Sequence, residues 1–175
     1  IESYGRRVVV ACNGGEERGC KLKRRDLELV AGDDVVIAKS PGDDEWTVIE
    51  RQPRRNVFTR SDSRGRVESL AANLDQLAVV IARRPACDPF IVDRYLVGAQ
   101  LAGIPALLVV NKRDLPEDSG DLSFVEPLRA MELPIVEVSA QTSEGLETLV
   151  ARLSGRRSLF AAIAGHDDTS AVRFD

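Results

Sequence analysis

The chain has 175 residues, of which 43% are hydrophobic and 30% are charged, and its formal net charge is −4. This composition is typical of a globular protein with one domain or two small ones, and it excludes a protein that is basic throughout. No apolar run approaches the roughly 20 residues of a membrane-spanning helix, so we expect no membrane association, and we expect no signal peptide. The three cysteines lack metal-ligand spacing and indicate a reducing, cytoplasmic compartment; they are Cys12, Cys20 and Cys87.

Residues 1–53 predict a small all-β domain. Turn signals such as Asn13-Gly14-Gly15 and Pro41-Gly42-Asp43-Asp44 separate short runs that are apolar or alternate in polarity. Short strands joined by glycine-rich turns about every ten residues are typical of a barrel of the OB type. The predicted strands are 7–11, 19–23, 35–37 and 46–50.

Gly14 and Gly19 have the spacing of a phosphate-binding loop and follow a predicted strand. That motif requires a lysine directly after its second glycine and then Ser or Thr. Cys20 occupies the lysine position, and no helical pattern follows. We therefore interpret this segment as a hairpin turn.

Basic side chains cluster in and just after the predicted barrel, despite the negative net charge. Such clusters contact phosphate backbones even in acidic proteins, although a solvated charged surface is the alternative interpretation. Because aromatic residues are few, basic side chains would carry any contact with RNA. The candidate RNA-binding residues are Lys21, Lys23, Arg24, Arg25, Arg54 and Arg55.

Residues 54–70 are polar and rich in Arg, Ser and Asp, which predicts a linker. From residue 71 onward, apolar strands alternate with amphipathic helices. This alternation predicts a parallel sheet with right-handed crossovers, so residues 71–175 are expected to form an α/β domain. Its predicted elements are a strand ending at Ala82, helices at 90–102, near 122–131 and at 144–153, and strands at 104–110 and 134–138.

The tetrapeptide Asn111-Lys112-Arg113-Asp114 follows the apolar strand 104–110. Open α/β sheets bind ligands at this end of their strands. The Asp114 carboxylate can accept two parallel hydrogen bonds, from N1–H and the exocyclic amine of guanine, and adenine lacks both donors. The Asn111 amide can brace the loop, and the Lys112 stem can lie over the face of the base. Alone, the tetrapeptide is equally compatible with an ordinary polar loop.

A second loop makes the guanine interpretation specific. The strand 134–138 ends in Ser139-Ala140-Gln141, and a helical pattern follows. In guanine-nucleotide sites, such a loop brings the backbone N–H of the alanine onto O6 of guanine, and a small residue permits this close approach. Asn-Lys-x-Asp and Ser-Ala-x loops, each after a strand and in this order, predict a guanine-binding site.

The sequence carries no Gly-x-x-x-x-Gly-Lys-Ser/Thr phosphate loop, either before or after Asn111. Residues 155–161 nevertheless look like the strand that would lead into one. The tail 162–175 fits no alternation of strands and helices. As it stands, the chain has the residues to recognise guanine but lacks those that grip a triphosphate or position a catalytic water.

The order of these elements resembles that of the circularly permuted ribosome-assembly GTPase family RsgA (YjeQ). In that family the guanine loops precede the phosphate loop, which accounts for the order observed here. The resemblance covers roughly residues 4–161. It rests on the small β-barrel, Ala71-Ala72-Asn73-Leu74-Asp75-Gln76, Asp93-Arg94-Tyr95-Leu96, the two guanine loops and the Gly-Arg-x-Ser-Leu segment 155–159.

The chain departs from the family at its end. The phosphate loop, the Mg²⁺-binding Asp-x-x-Gly segment and the Cys/His zinc cluster are all absent. The tail 168–173 resembles the segment that follows the first switch in the family. In this sequence it comes only a few residues after Ala161. We expect that the sequence joins pieces of a longer chain and omits others, with a truncation as the alternative. We also expect an interruption of the chain somewhere in 160–170, and a strand at 171–174 that lies near the sheet without continuing the chain from Phe160.

The resemblance implies an OB-type barrel that contacts ribosomal RNA, followed by a circularly permuted P-loop-GTPase-like domain, incomplete in this chain. It implies a ribosome-stimulated GTPase that hydrolyses GTP to GDP and phosphate late in assembly of the small ribosomal subunit. It also implies Mg²⁺ with GTP or GDP, a C-terminal structural Zn²⁺, and the small subunit and its rRNA as partners of a monomer.

The alternative is a non-enzymatic module that binds guanine nucleotide and RNA. No catalytic residue and no metal ligand is assigned in this chain. The candidate nucleotide-binding residues are Asn111, Lys112, Asp114, Ser139, Ala140 and Gln141.

Overall fold

The computed structural model describes residues 2–4, 7–12, 14–23, 27–39, 42, 45–61, 64–164 and 168–174. The chain forms two compact units, Ile1–Asn73 and Leu74–Asp175. The first contains strands, and the second combines helices with a mostly parallel sheet. The prediction of an all-β domain followed by an α/β domain is confirmed at this level.

Five strands of the first unit form one sheet in the order β1-β2-β3-β5-β4. Neighbouring strands are antiparallel except for the parallel pair β3–β5. Because alternate side chains of a strand point to the same face, Val8, Val10, Cys20 and Val48 meet in one buried core. The strands are β1 (Glu2–Tyr4), β2 (Arg7–Ala11), β3 (Glu17–Leu22), β4 (Val35–Lys39) and β5 (Trp46–Arg51).

The segment 54–70, predicted as a linker, instead contains most of an antiparallel hairpin. Its strands are β6 (Val57–Ser61) and β7 (Val67–Ala72). Phe58 and the end of β7 are buried, whereas exposed charged and hydroxyl side chains give the stretch its polar composition. A two-stranded hairpin is marginal alone. This one is tied to the rest of its unit by a parallel bridge between Ala31 and Ala71.

The second unit contains a five-stranded sheet in the order β10-β9-β8-β11-β12. The first four strands are parallel, and β12 is antiparallel to β11. A 3₁₀ helix, Glu117–Ser119, follows β9. The other elements are β8 (Gln76–Ala82), α1 (Pro89–Leu101), β9 (Ala106–Asn111), α2 (Val125–Ala130), β10 (Ile135–Glu137), α3 (Leu146–Leu153), β11 (Ser158–Ala164) and β12 (Asp168–Phe174).

The continuous apolar sequence of β8 is buried along nearly its whole length, as expected for a central strand of a covered parallel sheet. Ala78 of β8 packs with Val109 of β9, and Leu149 of α3 packs against this cluster. Helix α1 begins after Asp88, whose side chain accepts a hydrogen bond of 2.9 Å from the Phe90 backbone N–H. No helix within the described residues is both long and apolar enough to cross a bilayer.

The tail forms part of the sheet. Strand β12 pairs with β11 from Ser158↔Phe174 to Ala164↔Asp168, so the prediction of a strand at 171–174 is confirmed. β11 itself runs parallel to β8, and it contains the end of the segment 155–161 that the sequence analysis interpreted as a strand. Only three residues, 165–167, lie between the paired strands, and they fall outside the described residues. The expected interruption of the chain near this point is therefore not tested.

Candidate functional site

The candidate site lies at the carboxyl ends of β9 and β10. These strands are parallel, with Val110 opposite Glu137, so the loops that follow them emerge at the same edge of the sheet. The backbones also connect there: Val138 N–H donates to Val110 O at 2.8 Å, and Arg113 N–H donates to Val138 O at 3.0 Å. Two segments that are separated in sequence, the candidate guanine loops, thus meet at one edge of the sheet.

Asn111 joins the two loops through one oxygen. Its side-chain Oδ1 accepts hydrogen bonds from the Lys112 backbone N–H at 2.7 Å and from the Ala140 backbone N–H at 3.2 Å. The first bond fixes the side chain on its own loop, and the second reaches the other loop. Asn111 therefore sets the distance between Ala140 and the end of β9.

Ser139 and Asp114 make the second connection. The Ser139 hydroxyl donates to Asp114 Oδ1 at 2.5 Å and accepts from the Thr142 backbone N–H at 3.1 Å. Ser139 is fully buried, whereas Asp114 is exposed. The Ser139 hydroxyl thereby fixes the position of one carboxylate oxygen of Asp114. Each carboxylate oxygen has two lone pairs, so both retain capacity to accept a hydrogen bond from a ligand.

Lys112 has a left-handed backbone conformation, with φ of 60°. A non-glycine residue adopts this region at some cost in free energy, so the surrounding contacts must maintain it. Its ammonium donates to the backbone carbonyl of Arg84 at 2.7 Å. The side chain is exposed and connects this loop to the segment after β8.

The turn after β10 depends on Gly145, which the sequence analysis did not identify. Its φ is 74°, and a Cβ placed there would lie 2.2 Å from the Glu137 carbonyl oxygen. Ser139 N–H donates to Glu144 O at 2.9 Å and closes the same turn. The only trace of this turn in the sequence is a glycine directly before a helical pattern. The structure explains the glycine, because the backbone of this residue lies too close to the Glu137 carbonyl oxygen for a side chain. Gln141 lies exposed within this turn.

Arg113 lies on the outer side of the first loop. Its guanidinium is 3.5 Å from a Glu144 carboxylate oxygen and 3.9 Å from one of Glu137. All three side chains are about half exposed, so solvent screening leaves these ion pairs little effect on stability. These ion pairs add to the hydrogen bonds that connect the two loops, but they do not determine the geometry of the loops.

The six candidate RNA-binding residues differ in their surroundings. Lys21 forms an ion pair of 3.2 Å with Glu45, and Lys23 is exposed. Arg55 donates to the Asn73 backbone carbonyl at 2.8 Å. Arg24 and Arg25 lie outside the described residues.

Arg54 is held inside the first unit. Its guanidinium contacts Asp33 through two hydrogen bonds of 2.6 and 2.8 Å, and the Asp33 side chain is fully buried. The hydrogen bonding of its guanidinium to the Asp33 carboxylate raises the pKa of Arg54 above its ordinary value. This geometry assigns Arg54 a structural contact, which the sequence did not reveal.

The described residues offer no cluster of side chains for a structural metal ion. No three His, Cys, Asp or Glu side chains of the described part lie close enough together to share a metal ion. The cysteines Cys12, Cys20 and Cys87 are free thiols, and burial raises the pKa of Cys20 and of Cys87. A raised pKa disfavours the thiolate that binds zinc. The structure therefore shows no Zn²⁺ site among the described residues, and the Mg²⁺ expected with a bound nucleotide is not tested.

The sequence of this chain is similar to those of known proteins. The family model of the RsgA GTPase matches residues 51–169. The protein named small ribosomal subunit biogenesis GTPase RsgA from Chromohalobacter salexigens is 39% identical over 155 residues, covering 87% of this chain and 45% of that protein. Its namesake from Hahella chejuensis is 31% identical over 180 residues, covering 99% and 51%.

A solved structure is also similar. The crystal structure of YjeQ from Thermotoga maritima matches with a TM-score of 0.67 and 27% sequence identity, covering 91% of this chain and 57% of that one. The chain spans about half the length of the curated relatives it matches.

Proposed function

Because the chain belongs to the RsgA GTPase family, we propose that it binds guanine nucleotide and takes part in hydrolysis of GTP to GDP and phosphate during late assembly of the small ribosomal subunit. The observation that carries this proposal is the connection of the two loops through Asn111, Asp114, Ser139 and Ala140. The relatives' shared name supports the role in ribosome biogenesis.

The loops would read guanine by its hydrogen-bonding edge. The two oxygens of Asp114 would accept from N1–H and the exocyclic amine, with Ser139 holding one oxygen in place. The Ala140 N–H would reach O6 of guanine, since its present bond to Asn111 is long, at 3.2 Å, and can be shared. Adenine would leave Asp114 unpaired, which costs on the order of 1–3 kcal/mol and selects against that base.

A specific observation favours a second candidate. β11, the strand expected to lead into a phosphate loop, pairs with β12 after only three intervening residues. A loop of the Gly-x-x-x-x-Gly-Lys-Ser/Thr type has eight residues and does not occur in this chain. The second candidate is therefore a non-enzymatic module that recognises guanine nucleotide and RNA without turnover.

The first unit would supply the RNA contact. Five strands with one parallel pair among antiparallel ones support an OB-type Greek-key barrel. Lys21 and Lys23 would contact rRNA phosphates, together with Arg24, Arg25 and Arg55, whereas the ion pair with Asp33 occupies Arg54. The second unit would be the circularly permuted GTPase-like domain. We propose a cytoplasmic monomer whose partner is the small ribosomal subunit.

Two measurements test the proposal. The first is an NMR titration of the chain with GMP and, separately, AMP at millimolar concentration. GMP should shift the backbone amides of 111–114 and 139–142, and AMP should not; equal responses to both would contradict guanine recognition. The second is phosphate release from GTP with and without purified small ribosomal subunits. Stimulated release supports the GTPase, and guanine-selective binding without release supports the non-enzymatic module.

A further inference from the structure

Two arginines after β8 hold the backbone segment that follows the first guanine loop. Arg83 Nη1 donates to the carbonyl oxygens of Glu117 at 2.7 Å and Gly120 at 2.9 Å. Arg84 Nε donates to the Ser119 carbonyl oxygen at 2.7 Å. These carbonyls lie within and directly after the short 3₁₀ helix Glu117–Ser119, and carbonyls at a helix end need partners from outside the helix. Positive side chains are favourable partners there.

The backbones of the two segments also touch. A Cβ at Gly120 would lie 2.3 Å from the Arg83 carbonyl oxygen, so only glycine permits the observed approach. From the other side, the Lys112 ammonium donates to the Arg84 carbonyl at 2.7 Å. Residues 83 and 84 therefore contact the first guanine loop at Lys112 and again just beyond it at 117–120.

A pocket also borders this loop. A cavity of about 220 Å³ lies behind it, lined by Arg83, Lys112, Leu115, Glu117 and Leu122 among others. The left-handed Lys112 must also be maintained against its conformational cost. Because the pocket leaves part of the loop unpacked and Lys112 has a costly backbone conformation, we expect the hydrogen bonds of the loop to contribute to the position of Asp114.

We propose that Arg83 is a positioning residue for base recognition, acting through the 117–120 segment on the loop that carries Asp114. The inference rests on the proposed guanine recognition and deepens it. One nitrogen of Arg83 bonds two carbonyls, so a lysine, with three N–H donors on a slightly shorter side chain, can partly replace it. Methionine offers similar length without a donor.

The test uses the whole chain with Arg83→Met, Arg83→Lys and, as a control, Arg152→Met at an exposed position of α3. Hydrogen exchange of the Arg113 and Leu115 amides reports on the free loop, since they donate to Val138 O and Lys112 O. NMR titration with GMP, IMP and AMP reports on recognition. IMP lacks the exocyclic amine, so the preference for GMP over IMP measures how well Asp114 is placed.

Arg83→Met should speed exchange of both amides and weaken GMP binding about three- to tenfold, because the competent loop becomes a smaller fraction of the population. Its preference for GMP over IMP should fall. Arg83→Lys should recover more than half of each change on a logarithmic scale, and Arg152→Met should match the wild type. Exchange and affinity within twofold of wild type in Arg83→Met, or no recovery in Arg83→Lys, would overturn the inference.

A second variant covers the case in which Arg83→Met does not fold. Gly120→Ala separates the two backbones and keeps the guanidinium, so it should change loop exchange in the same direction. Gly19→Ala is its control, because its Cβ would meet no atom within 4 Å. Unchanged loop exchange in Gly120→Ala would contradict the inference. If the wild type does not prefer GMP over AMP, the proposed function is contradicted instead. The hydrogen-exchange data on the free protein then still show whether Arg83 holds the loop in place.

Discussion

Single side chains with several partners fix the local geometry of both units. Asn111 accepts from two backbone amides on two loops, and Ser139 both donates and accepts between them. In the first unit, Asn73 has φ of 56° and is buried, and its amide donates to Gly32 O at 2.9 Å while its oxygen accepts from Arg55 N–H at 2.7 Å. The backbone groups of irregular segments cannot all pair with one another, and each of these side chains supplies the missing partner for several of them.

The buried Asp33–Arg54 pair is the strongest candidate for a stability determinant in the first unit. Arg54→Met should lower the free energy of unfolding by about 3 kcal/mol or more, because it leaves a buried carboxylate without its partner. Urea denaturation followed by circular dichroism measures this change. Asp33→Asn combined with Arg54→Met should recover part of the loss, and Arg60→Met, at an exposed pair with Glu68, should change stability little. A loss no larger in Arg54→Met than in Arg60→Met would contradict this role.

The sequence indicated Asn111, Asp114, Ser139 and Ala140 as candidates because the chemistry proposed for them is local to two short motifs. It could not identify the partners that hold them, since these depend on contacts between distant segments. Arg83 and Arg84 were two basic residues in a loop, and nothing local distinguished them from solvated charges. Arg54 was assigned to an RNA surface for the same reason, because its partner Asp33 precedes it by 21 positions.

At the scale of elements, periodicity predicted the second unit well. The helix predicted at 90–102 is observed as α1, Pro89–Leu101, and the pattern at 144–153 as α3, Leu146–Leu153. Hairpin β6–β7 was missed because only a few of its side chains are buried. A strand pair with mostly exposed side chains has the composition of a linker, whereas the bridge between Ala31 and Ala71 connects it to the rest of its unit.

The turn between β10 and α3 should depend on a glycine for steric reasons. Gly145→Ala combines a left-handed backbone with a Cβ 2.2 Å from Glu137 O. Gly155→Ala has almost the same φ, 71°, but its Cβ meets no atom within 4 Å. We expect Gly155→Ala to cost about 1–2 kcal/mol and Gly145→Ala to cost about 1–3 kcal/mol more, because the turn must shift. Equal unfolding free energies of the two variants would contradict the steric explanation.

At the scale of the whole molecule, the two proposed tasks fall on two units. The first carries the basic residues proposed to contact rRNA, and the second carries the loops proposed to bind guanine. Mutations in one unit should then leave the function of the other unchanged, since sites without shared partners act additively. The chain spans about half the length of its curated relatives, so the comparison supports these tasks for the segments that the chain contains.

Binding of the first unit to rRNA should depend on salt. If about three basic side chains contact phosphates, log affinity should fall against log salt with a slope of roughly −2 to −3. Filter binding to purified small subunits across a salt series measures the slope. Lys23→Glu with Arg25→Glu should weaken binding and leave GMP affinity unchanged. Arg94→Glu with Arg152→Glu in the second unit is the charge-matched control, and equal losses in both double variants would remove the first unit from the interface.

Recognition of guanine by Asp114 is the central claim, and exchanging base preference tests it most directly. Asp114→Asn replaces an acceptor with a donor, which opposes the amine of guanine but suits the extra carbonyl of xanthine. NMR titration of both proteins with GMP and XMP measures the four affinities. The wild type should prefer GMP, and Asp114→Asn should prefer XMP, with a combined change of about tenfold or more for one exchanged hydrogen bond. The same preference in both proteins would contradict the assignment of Asp114 as the residue that reads the base.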